Sequence, residues 1–476
     1  MESILQKYIE SAEQTRTIWQ DGKVVEVIGL VITSTGPSTS VGELCHIYPH
    51  PEAEPVLAEV VGFRENKVLL MPLGELTGIN PGSLVVATGE TLSISVGEEL
   101  IGRVIGGDGQ PVDGRGPIKT ARRKSIYAAP PDPLKRTRIT EPLVTGIRSL
   151  DSFMTCGKGQ RLGVFAGSGV GKSVMMGMIA RNTRAPINVI GLIGERGREV
   201  REFLEKDLGE EGLARSVVVS VTSDNPPLLK VKGALIATTI AEYFRDQGQD
   251  VILMIDSVTR VAMALREIGL AVGEPPATKG YTPSVFTFLP KFLERAGTSD
   301  KGSITGLYAV LVEGDDLNDP ISDTVRSILD GHVVLSRKLA NRNHYPAVDV
   351  LASISRLMVD IAQPQHLQDV NKLKSLMAAY QDAEDLINIG AYVKGSDTTI
   401  DESIAKMSSI NTFLRQDINE KTEFENDLNN LNKISNEKVS IPSAKNPEAK
   451  NNAQKAGSEG TGQSPERKTA AAGYSR

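Results

Sequence analysis

The sequence is poor in cysteine, in aromatic residues and in long apolar runs, and each shortage excludes a class of protein. Cys45 and Cys156 are the only cysteines among 476 residues, too few for a disulfide framework or a zinc site with four sulfur ligands. Aromatic residues make up 4% of the chain, which argues against the base-stacking surface of proteins that bind single-stranded nucleic acid. No uncharged apolar stretch is as long as the roughly 20 residues that a membrane-spanning helix needs.

The chain also lacks an excess of positive charge. Its 53 Lys and Arg residues against 59 Asp and Glu residues give a net charge of −6, whereas a general nucleic-acid binder is basic. Hydrophobic residues make up 40%, enough for buried cores, and the length suggests roughly three domains at about 150 residues each. The first residues contain no apolar run of signal-peptide length. We therefore expect a soluble, cytoplasmic, multidomain protein that binds no nucleic acid.

Composition divides the chain into five segments. The sequence predicts a short amphipathic helix within residues 1–20, and residues 21–92 contain short β-rich runs typical of a small barrel. In residues 93–362, apolar strand-like runs alternate with helical stretches, which indicates a parallel α/β sheet. Residues 363–434 are polar and helix-rich, and residues 435–476 contain too few bulky apolar residues to fold.

The strongest motif is RLGVFAGSGVGKS, in which a buried strand leads into a glycine-rich loop and then a helix. Backbone N–H groups of such a loop surround phosphate oxygens, Lys172 adds a cation, and the Ser173 hydroxyl can bind Mg²⁺. The first position of the usual pattern is glycine, and Ala166 stands there instead. The motif predicts an ATP site formed by Ala166, Gly167, Ser168, Gly169, Val170, Gly171, Lys172 and Ser173.

Two carboxylates end other predicted strands. Asp256 closes the apolar run DVILMID, and Glu195 follows the run INVIGLIG. A parallel sheet brings the carboxyl ends of its strands to one edge, beside the bound phosphates. Asp256 is therefore predicted to hold Mg²⁺ through its water shell, and Glu195 to polarise the attacking water.

These segments also resemble a known family. GSGVGKS, GERGREV, LMIDSVTR, GEPPATKGYTPSVF, VEGDDLNDPISDTVRSILDGHVVLSR and YPAVDVLASISR occur in an order similar to that of the catalytic ATPases related to the rotary ATP synthase β-subunit. Within that group the chain most resembles the flagellar protein-export ATPases of type III secretion, from roughly residue 24 to 430. The alanine at position 166 is also a feature of that branch.

The resemblance implies a fold and further site residues. It implies a small N-terminal β-barrel, a RecA-like P-loop ATPase core and a C-terminal helical domain, assembled as a homohexamer. It implies that Arg260 lies near the γ-phosphate or the product phosphate, that Arg356 acts as an arginine finger in the neighbouring subunit's site, and that Tyr345 stacks on adenine. Guanidinium groups suit the roles implied for Arg260 and Arg356, because they neutralise charge on the transferring phosphoryl group.

The resemblance further implies a setting and partners. The ATPase would act in the cytoplasm, peripherally associated with the export apparatus of the inner membrane, where it releases export substrates from chaperones and loads them into a membrane gate. A dimeric regulator would bind the N-terminal helix, and a central stalk protein would contact the ring.

Three other interpretations stay open at this point. Within the superfamily, the chain could be a virulence-type secretion ATPase or a rotary β-subunit, although residues 381–395 supply no acidic segment for contacting a shaft. A hexameric RNA translocase of the termination-factor type also joins a small β-domain to a RecA-like core, but the charge and the scarcity of aromatic residues argue against it. Glu195 argues against a non-catalytic scaffold subunit.

Overall fold

The computed structural model describes residues 21–438 except residues 51, 121, 313 and 315. The predicted N-terminal helix and residues 439–476 of the predicted tail lie outside the described residues. The described chain contains a six-stranded barrel, a central α/β domain and a C-terminal group of helices. The predicted fold class is thereby confirmed.

The barrel closes in the strand order β1–β2–β5–β4–β3–β6. Its core is formed by side chains that alternate along short strands, such as Ile32, Ile47 and Leu70, all with no exposed surface. The apolar run at residues 24–33 is two strands rather than one, because the chain reverses at Gly29, whose φ of 56° suits glycine. The strands are β1 (Asp21–Ile28), β2 (Val31–Ser34), β3 (Glu43–Tyr48), β4 (Val56–Arg64), β5 (Lys67–Pro72) and β6 (Leu84–Thr91).

The central sheet has the order β19–β18–β12–β17–β15–β13–β14–β8, with β16 paired to β17, and β16 and β19 are its antiparallel strands. Helices cover its faces, so its middle strands are near-continuous apolar runs. The strands are β8 (Val104–Ile105), β12 (Arg161–Ala166), β13 (Ile187–Glu195), β14 (Ser216–Thr222), β15 (Asp250–Asp256), β16 (Gly297–Thr298), β17 (Ser303–Leu311), β18 (Gly331–Leu335) and β19 (Val348–Ser355).

Two small two-stranded ribbons are separate from the barrel and from this sheet. They pair β7 (Ser93–Val96) with β9 (Arg122–Ser125), and β10 (Pro142–Leu143) with β11 (Cys156–Gly157). The helices of the α/β domain are α1 (Arg148–Phe153), α2 (Lys172–Asn182), α3 (Gly197–Glu202), α4 (Gly209–Leu213), α5 (Pro227–Asp246), α6 (Val258–Ala271), α7 (Pro283–Leu293), α8 (Pro320–Ile328), α9 (Arg337–Asn341) and α10 (Met358–Ile361). A π-helical segment (Phe203–Leu208) follows α3, and single 3₁₀ turns lie at Glu98–Leu100, Pro133–Lys135 and Thr278–Gly280.

The C-terminal group consists of α11 (Pro364–Asn388), α12 (Thr398–Leu414) and α13 (Phe424–Asn436). Arg148 at the start of α1 connects this group to the α/β domain. Its guanidinium donates to the Phe413 carbonyl at 3.1 Å and to Asp427 at 3.0 Å, and it is ion-paired with Glu420. Arg148 thus fixes the C-terminal helices against the α/β domain.

Candidate active site

The glycine-rich loop connects β12 to α2. The strand ends at Ala166 and the helix begins at Lys172. Gly169 and Gly171 adopt φ values of 77° and 95°, in the left-handed region where side chains are strained, so both positions require glycine. The loop leads directly into the amino end of α2, and a glycine-rich loop before a helix amino end is an arrangement that binds anions. Val170 is buried beneath the loop, whereas Ser168, Gly169 and Ser173 are exposed.

Lys172 lies between two carboxylates. Its Nζ donates to Oδ1 of Asp256 and is 3.8 Å from Oε1 of Glu195. Asp256 ends β15 and Glu195 ends β13, and these strands are neighbours in the sheet. The side chains of Lys172 and Asp256 are 10% and 3% exposed, so the ion pair is shielded from water. The three residues that sequence analysis singled out are therefore side by side.

The environment of Glu195 makes its carboxyl group unusually basic. Burial and the nearby negative charge of Asp256 raise the pKa of Glu195 to about 7, and Lys172 opposes the rise. Glu199, in the first turn of α3, shares a hydrogen bond with Glu195, and this contact lowers the pKa of Glu199. Sequence analysis missed Glu199, although a carboxylate four residues after Glu195 at the start of a helix was a visible signal. A carboxylate with a pKa near neutrality suits general base catalysis.

Arg260 lies in the first turn of α6 and packs against the end of β13. A Cβ atom at Gly194 would lie 3.0 Å from Cβ and Cγ of Arg260, so glycine at that position permits the contact. The Nε atom of Arg260 is buried and has no hydrogen-bond partner within the described part of the chain. A buried guanidinium nitrogen without a partner is costly, which makes this atom a candidate donor to an anionic ligand.

Two residues that follow β18 contact the loop. The ring of Tyr345 lies over Gly171, with two ring carbons 3.6 Å from a Cβ placed there, and the residue is 41% exposed. Arg337, the first residue of α9, donates from Nη1 to the Ser168 carbonyl at 3.1 Å. Sequence analysis missed Arg337, because nothing in the local pattern indicates that α9 meets the loop.

Arg356 is the predicted site residue that the structure keeps apart from the others. It follows β19, whose last residue Ser355 pairs with Gly331 at the amino end of β18. Tyr345 precedes the same strand. The eight residues of β19, at ~3.3 Å each, place its two ends, and so the two edges of the sheet, roughly 26 Å apart. Arg356 therefore lies at the edge opposite the loop of its own chain, and it is exposed there.

Three family profiles match successive parts of the chain. Residues 24–89 match the β-barrel domain of the ATP synthase alpha/beta family, and residues 146–355 match its nucleotide-binding domain. Residues 362–433 match the C-terminal domain of the type III secretion ATPase EscN. Together these matches cover more than half of the chain.

Whole-chain similarity extends these matches. The flagellum-specific ATP synthase of Bacillus subtilis is 57% identical over 416 residues, which are 87% of this chain and 95% of that protein. The chain belongs to the family of flagellar and type III secretion ATPases. It is an ATP-hydrolysing enzyme of this family, and the main flagellar interpretation of the sequence is supported.

Solved structures of this family have the same fold. The assembled ATPase EscN of enteropathogenic E. coli matches with a TM-score of 0.83 and 45% identity, covering 87% of this chain and all of that one. EscN in complex with its central stalk EscO matches with a TM-score of 0.81 and 44% identity, over 87% of this chain. Within the described residues of this export ATPase, no helix is both long and apolar enough to cross a membrane.

Proposed function

We propose that this chain hydrolyses ATP with Mg²⁺ at sites shared between neighbouring subunits of a homohexamer, and that this activity serves flagellar protein export. The observation that carries the proposal is the placement of Lys172 between Asp256 and Glu195 at the end of a glycine-rich loop. Lys172 contributes the cation for the phosphates, Asp256 the acid for the metal, and Glu195 a base with a pKa near neutrality.

The residues present suit Mg²⁺. Ser173 supplies an exposed hydroxyl at the start of α2 and Asp256 supplies a carboxylate, and Mg²⁺ prefers such oxygen ligands. No group of three or more His, Cys, Asp or Glu side chains within the described residues could hold a metal by itself. Such a sparse set fits Mg²⁺, which completes its shell with water and phosphate oxygens and supplies charge neutralisation there.

Glu195 performs the proton transfer in this proposal. Its carboxylate accepts a proton from the attacking water, and the carboxyl group formed in this way can donate a hydrogen bond to Glu199. Arg260 offers its unpartnered Nε to the phosphate that leaves, and Tyr345 covers the base beside Gly171. The loop residues 166–173 hold the phosphates through their backbone.

Arg356 completes the site of the adjacent subunit. An exposed arginine at the sheet edge opposite the loop cannot serve its own site, but head-to-tail contacts in a closed ring bring that edge to the neighbour's loop. The resemblance to assembled EscN supports this arrangement. An arginine finger supplied in trans contributes about 10³-fold to 10⁵-fold to turnover in other phosphoryl-transfer enzymes.

The export role adds a cellular setting to this chemistry. The ATPase would work in the cytoplasm at the inner-membrane export apparatus, where it releases substrates from chaperones for loading into the gate. A central stalk protein would contact the ring, as the complex of EscN with EscO suggests. We further propose that a dimeric regulator binds the amphipathic segment at residues 1–20, whose apolar residues are Ile4, Leu5, Tyr8 and Ile9.

Subunit mixing tests the shared site. Lys172→Ala and Arg356→Ala should each abolish most ATP hydrolysis, whereas a mixture of the two variants should regain part of it. Some interfaces in mixed rings then pair an intact loop with an intact arginine. Absence of recovery, with mixed rings demonstrated by native mass spectrometry, would contradict the trans role.

Pull-down from the native cell, scored for flagellar against injectisome components, tests the export assignment.

A further inference from the structure

A buried glutamine lies directly before β12, at the sheet edge that carries Arg356. Gln160 has no exposed surface. Its Nε2 donates to the Asp330 carbonyl and to Oγ of Ser355, each at 3.0 Å, and its Oε1 accepts from the backbone N–H of Gly157 at 2.8 Å. Both donors and the acceptor of this amide are therefore used, and a fully satisfied buried amide holds its partners in one geometry.

Gln160 donates hydrogen bonds to the Asp330 carbonyl and the Ser355 hydroxyl, and both of these groups adjoin the backbone of Arg356. Ser355 precedes Arg356 in the chain, and its hydroxyl also donates to the Thr155 carbonyl at 2.9 Å. The backbone N–H of Arg356 donates at 3.0 Å to the same Asp330 carbonyl that Gln160 contacts. The backbone on the amino side of Arg356 is thus fixed by the residues that directly precede β18 and β11.

Asp330 is itself held firmly. Nε and Nη2 of Arg161 donate to its two carboxylate oxygens at 3.0 Å and 3.1 Å, and the backbone N–H of Arg161 donates to Oδ2 at 3.1 Å. The backbone N–H of Asp330 donates to the Arg161 carbonyl at 2.9 Å. A bidentate pair of this kind fixes orientation as well as distance.

The side chain of Arg356 has no comparable support. It is exposed, and within the described residues it makes one long hydrogen bond, of 3.4 Å, from Nη2 to the Arg326 carbonyl. Its position relative to a neighbouring subunit is therefore determined by the backbone that carries it. That backbone is held by Gln160, Ser355 and Asp330.

We infer that Gln160 is a positioning residue for Arg356, and that it acts on the neighbouring subunit's site through Ser355 and the Asp330 carbonyl. This inference rests on the proposed function, in which Arg356 completes that site. Gln160 lies at the sheet edge opposite the phosphate loop and belongs to the half of each site that supplies the arginine. Its loss should impair that half and leave the phosphate loop of the same chain competent.

Gln160→Met tests this inference, since methionine keeps the size and removes both donors. The variant should bind nucleotide with unchanged affinity and assemble normally, but its kcat should fall by up to about a hundredfold, the scale expected for a misplaced catalytic group. Mixing it with Lys172→Ala chains should restore part of the activity. Mixing it with Arg356→Ala chains should restore none, because both variants are defective in the same half.

Asn188 offers a matched control. It is a fully buried amide at the amino end of β13, and its Nδ2 donates to the Ala180 carbonyl at 2.9 Å and to Oγ of Ser216 at 3.3 Å. Asn188→Leu removes a similar amide from the same sheet edge, several strands away from β19. It should lower stability without producing the mixing pattern of Gln160→Met.

Two outcomes would overturn the inference. One is normal kcat in Gln160→Met, and the other is a lowered kcat that Lys172→Ala chains do not restore, although they restore Arg356→Ala chains in the same assay. If Gln160→Met does not assemble, Ser355→Ala is tested in its place, with Ser216→Ala as its control. The same two outcomes would then overturn the inference. If Arg356→Ala itself is not restored by Lys172→Ala, the proposed trans role fails instead.

Discussion

The Nζ atom of Lys172 lies 3.8 Å from Oε1 of Glu195 while the same ammonium donates to Asp256. One cation therefore contacts both the predicted base and the predicted metal acid. The two carboxylates are close enough for the charge of Asp256 to raise the pKa of Glu195. The raised pKa of Glu195 suits a group that accepts a proton near neutral pH.

Replacement of Glu195 by glutamine tests its role directly. Glu195→Gln should retain ATP binding, because Lys172 and the loop are unchanged, and should lose at least about a hundredfold in kcat, the usual scale for a positioned base. Binding is measured with a fluorescent nucleotide and turnover by phosphate release. Glu202→Gln is the control, since Glu202 pairs with Arg198 on the outer face of the neighbouring helix α3. Near-normal turnover in Glu195→Gln would refute the assignment.

The pH dependence of turnover should follow the ionisation of Glu195. With a pKa of about 7, the carboxylate is largely protonated below that pH and cannot accept a proton from water. The kcat/KM value should therefore rise roughly tenfold per pH unit below pH 7 and level off above it. The residual activity of Glu195→Gln should lack this acidic limb. An unchanged limb in that variant would assign the titration to another group.

Tyr345 provides a test of base recognition. Because its ring lies over Gly171, Tyr345→Ala should raise the KM for ATP by about tenfold, in keeping with the stacking energy of a base on an aromatic ring. Tyr345→Phe keeps the ring and should leave KM near its original value. Steady-state kinetics with ATP decide between the two outcomes. Equal effects of both substitutions would indicate that the hydroxyl group matters rather than the ring.

The local parts of this site could be predicted from the sequence. The glycine-rich loop, Lys172 and the strand-ending residues Glu195 and Asp256 are contiguous with strong apolar runs, so their positions follow from the rule that parallel strands end at one edge. The local residue pattern was sufficient for these predictions. The barrel strand Glu43–Tyr48 is harder to predict, because its sequence ELCHIY is short and mixes polar with apolar residues on both faces.

The non-local parts could not be predicted. Tyr345 meets Gly171 across 174 positions of chain, a contact that no periodicity indicates. Residues 96–118 are rich in glycine, which indicates turns, yet Val104–Ile105 pairs with β14 and extends the central sheet. That Arg356 and Tyr345 lie at opposite edges depends on β19 being antiparallel to β18, which is a property of the assembled sheet.

A buried ion pair between the barrel and the α/β domain yields a prediction about stability. Nζ of Lys232 in α5 lies 2.6 Å from Oε1 of Glu59 in β4, with side chains that are 4% and 7% exposed. The hydroxyl group of Tyr127 donates to Oε2 of Glu59 at 2.8 Å, and its ring centroid lies 4.8 Å from the lysine Nζ. Burial lowers the pKa of Lys232 and Glu59 opposes this, so the lysine needs its partner to remain charged.

Glu59→Gln should therefore lower the free energy of unfolding by about 3–5 kcal/mol, because it leaves a charge buried without compensation. The measurement is urea unfolding followed by circular dichroism, with Glu90→Gln as the control because Glu90 is an exposed glutamate of the same barrel. The double variant Glu59→Leu with Lys232→Met removes both charges and should recover most of the loss, since apolar side chains of similar size can replace a buried pair. Equal losses for Glu59→Gln and Glu90→Gln would show that the pair does not hold the barrel to the α/β domain. Failure of the double variant to recover stability would instead place the effect in the hydrogen bond from Tyr127.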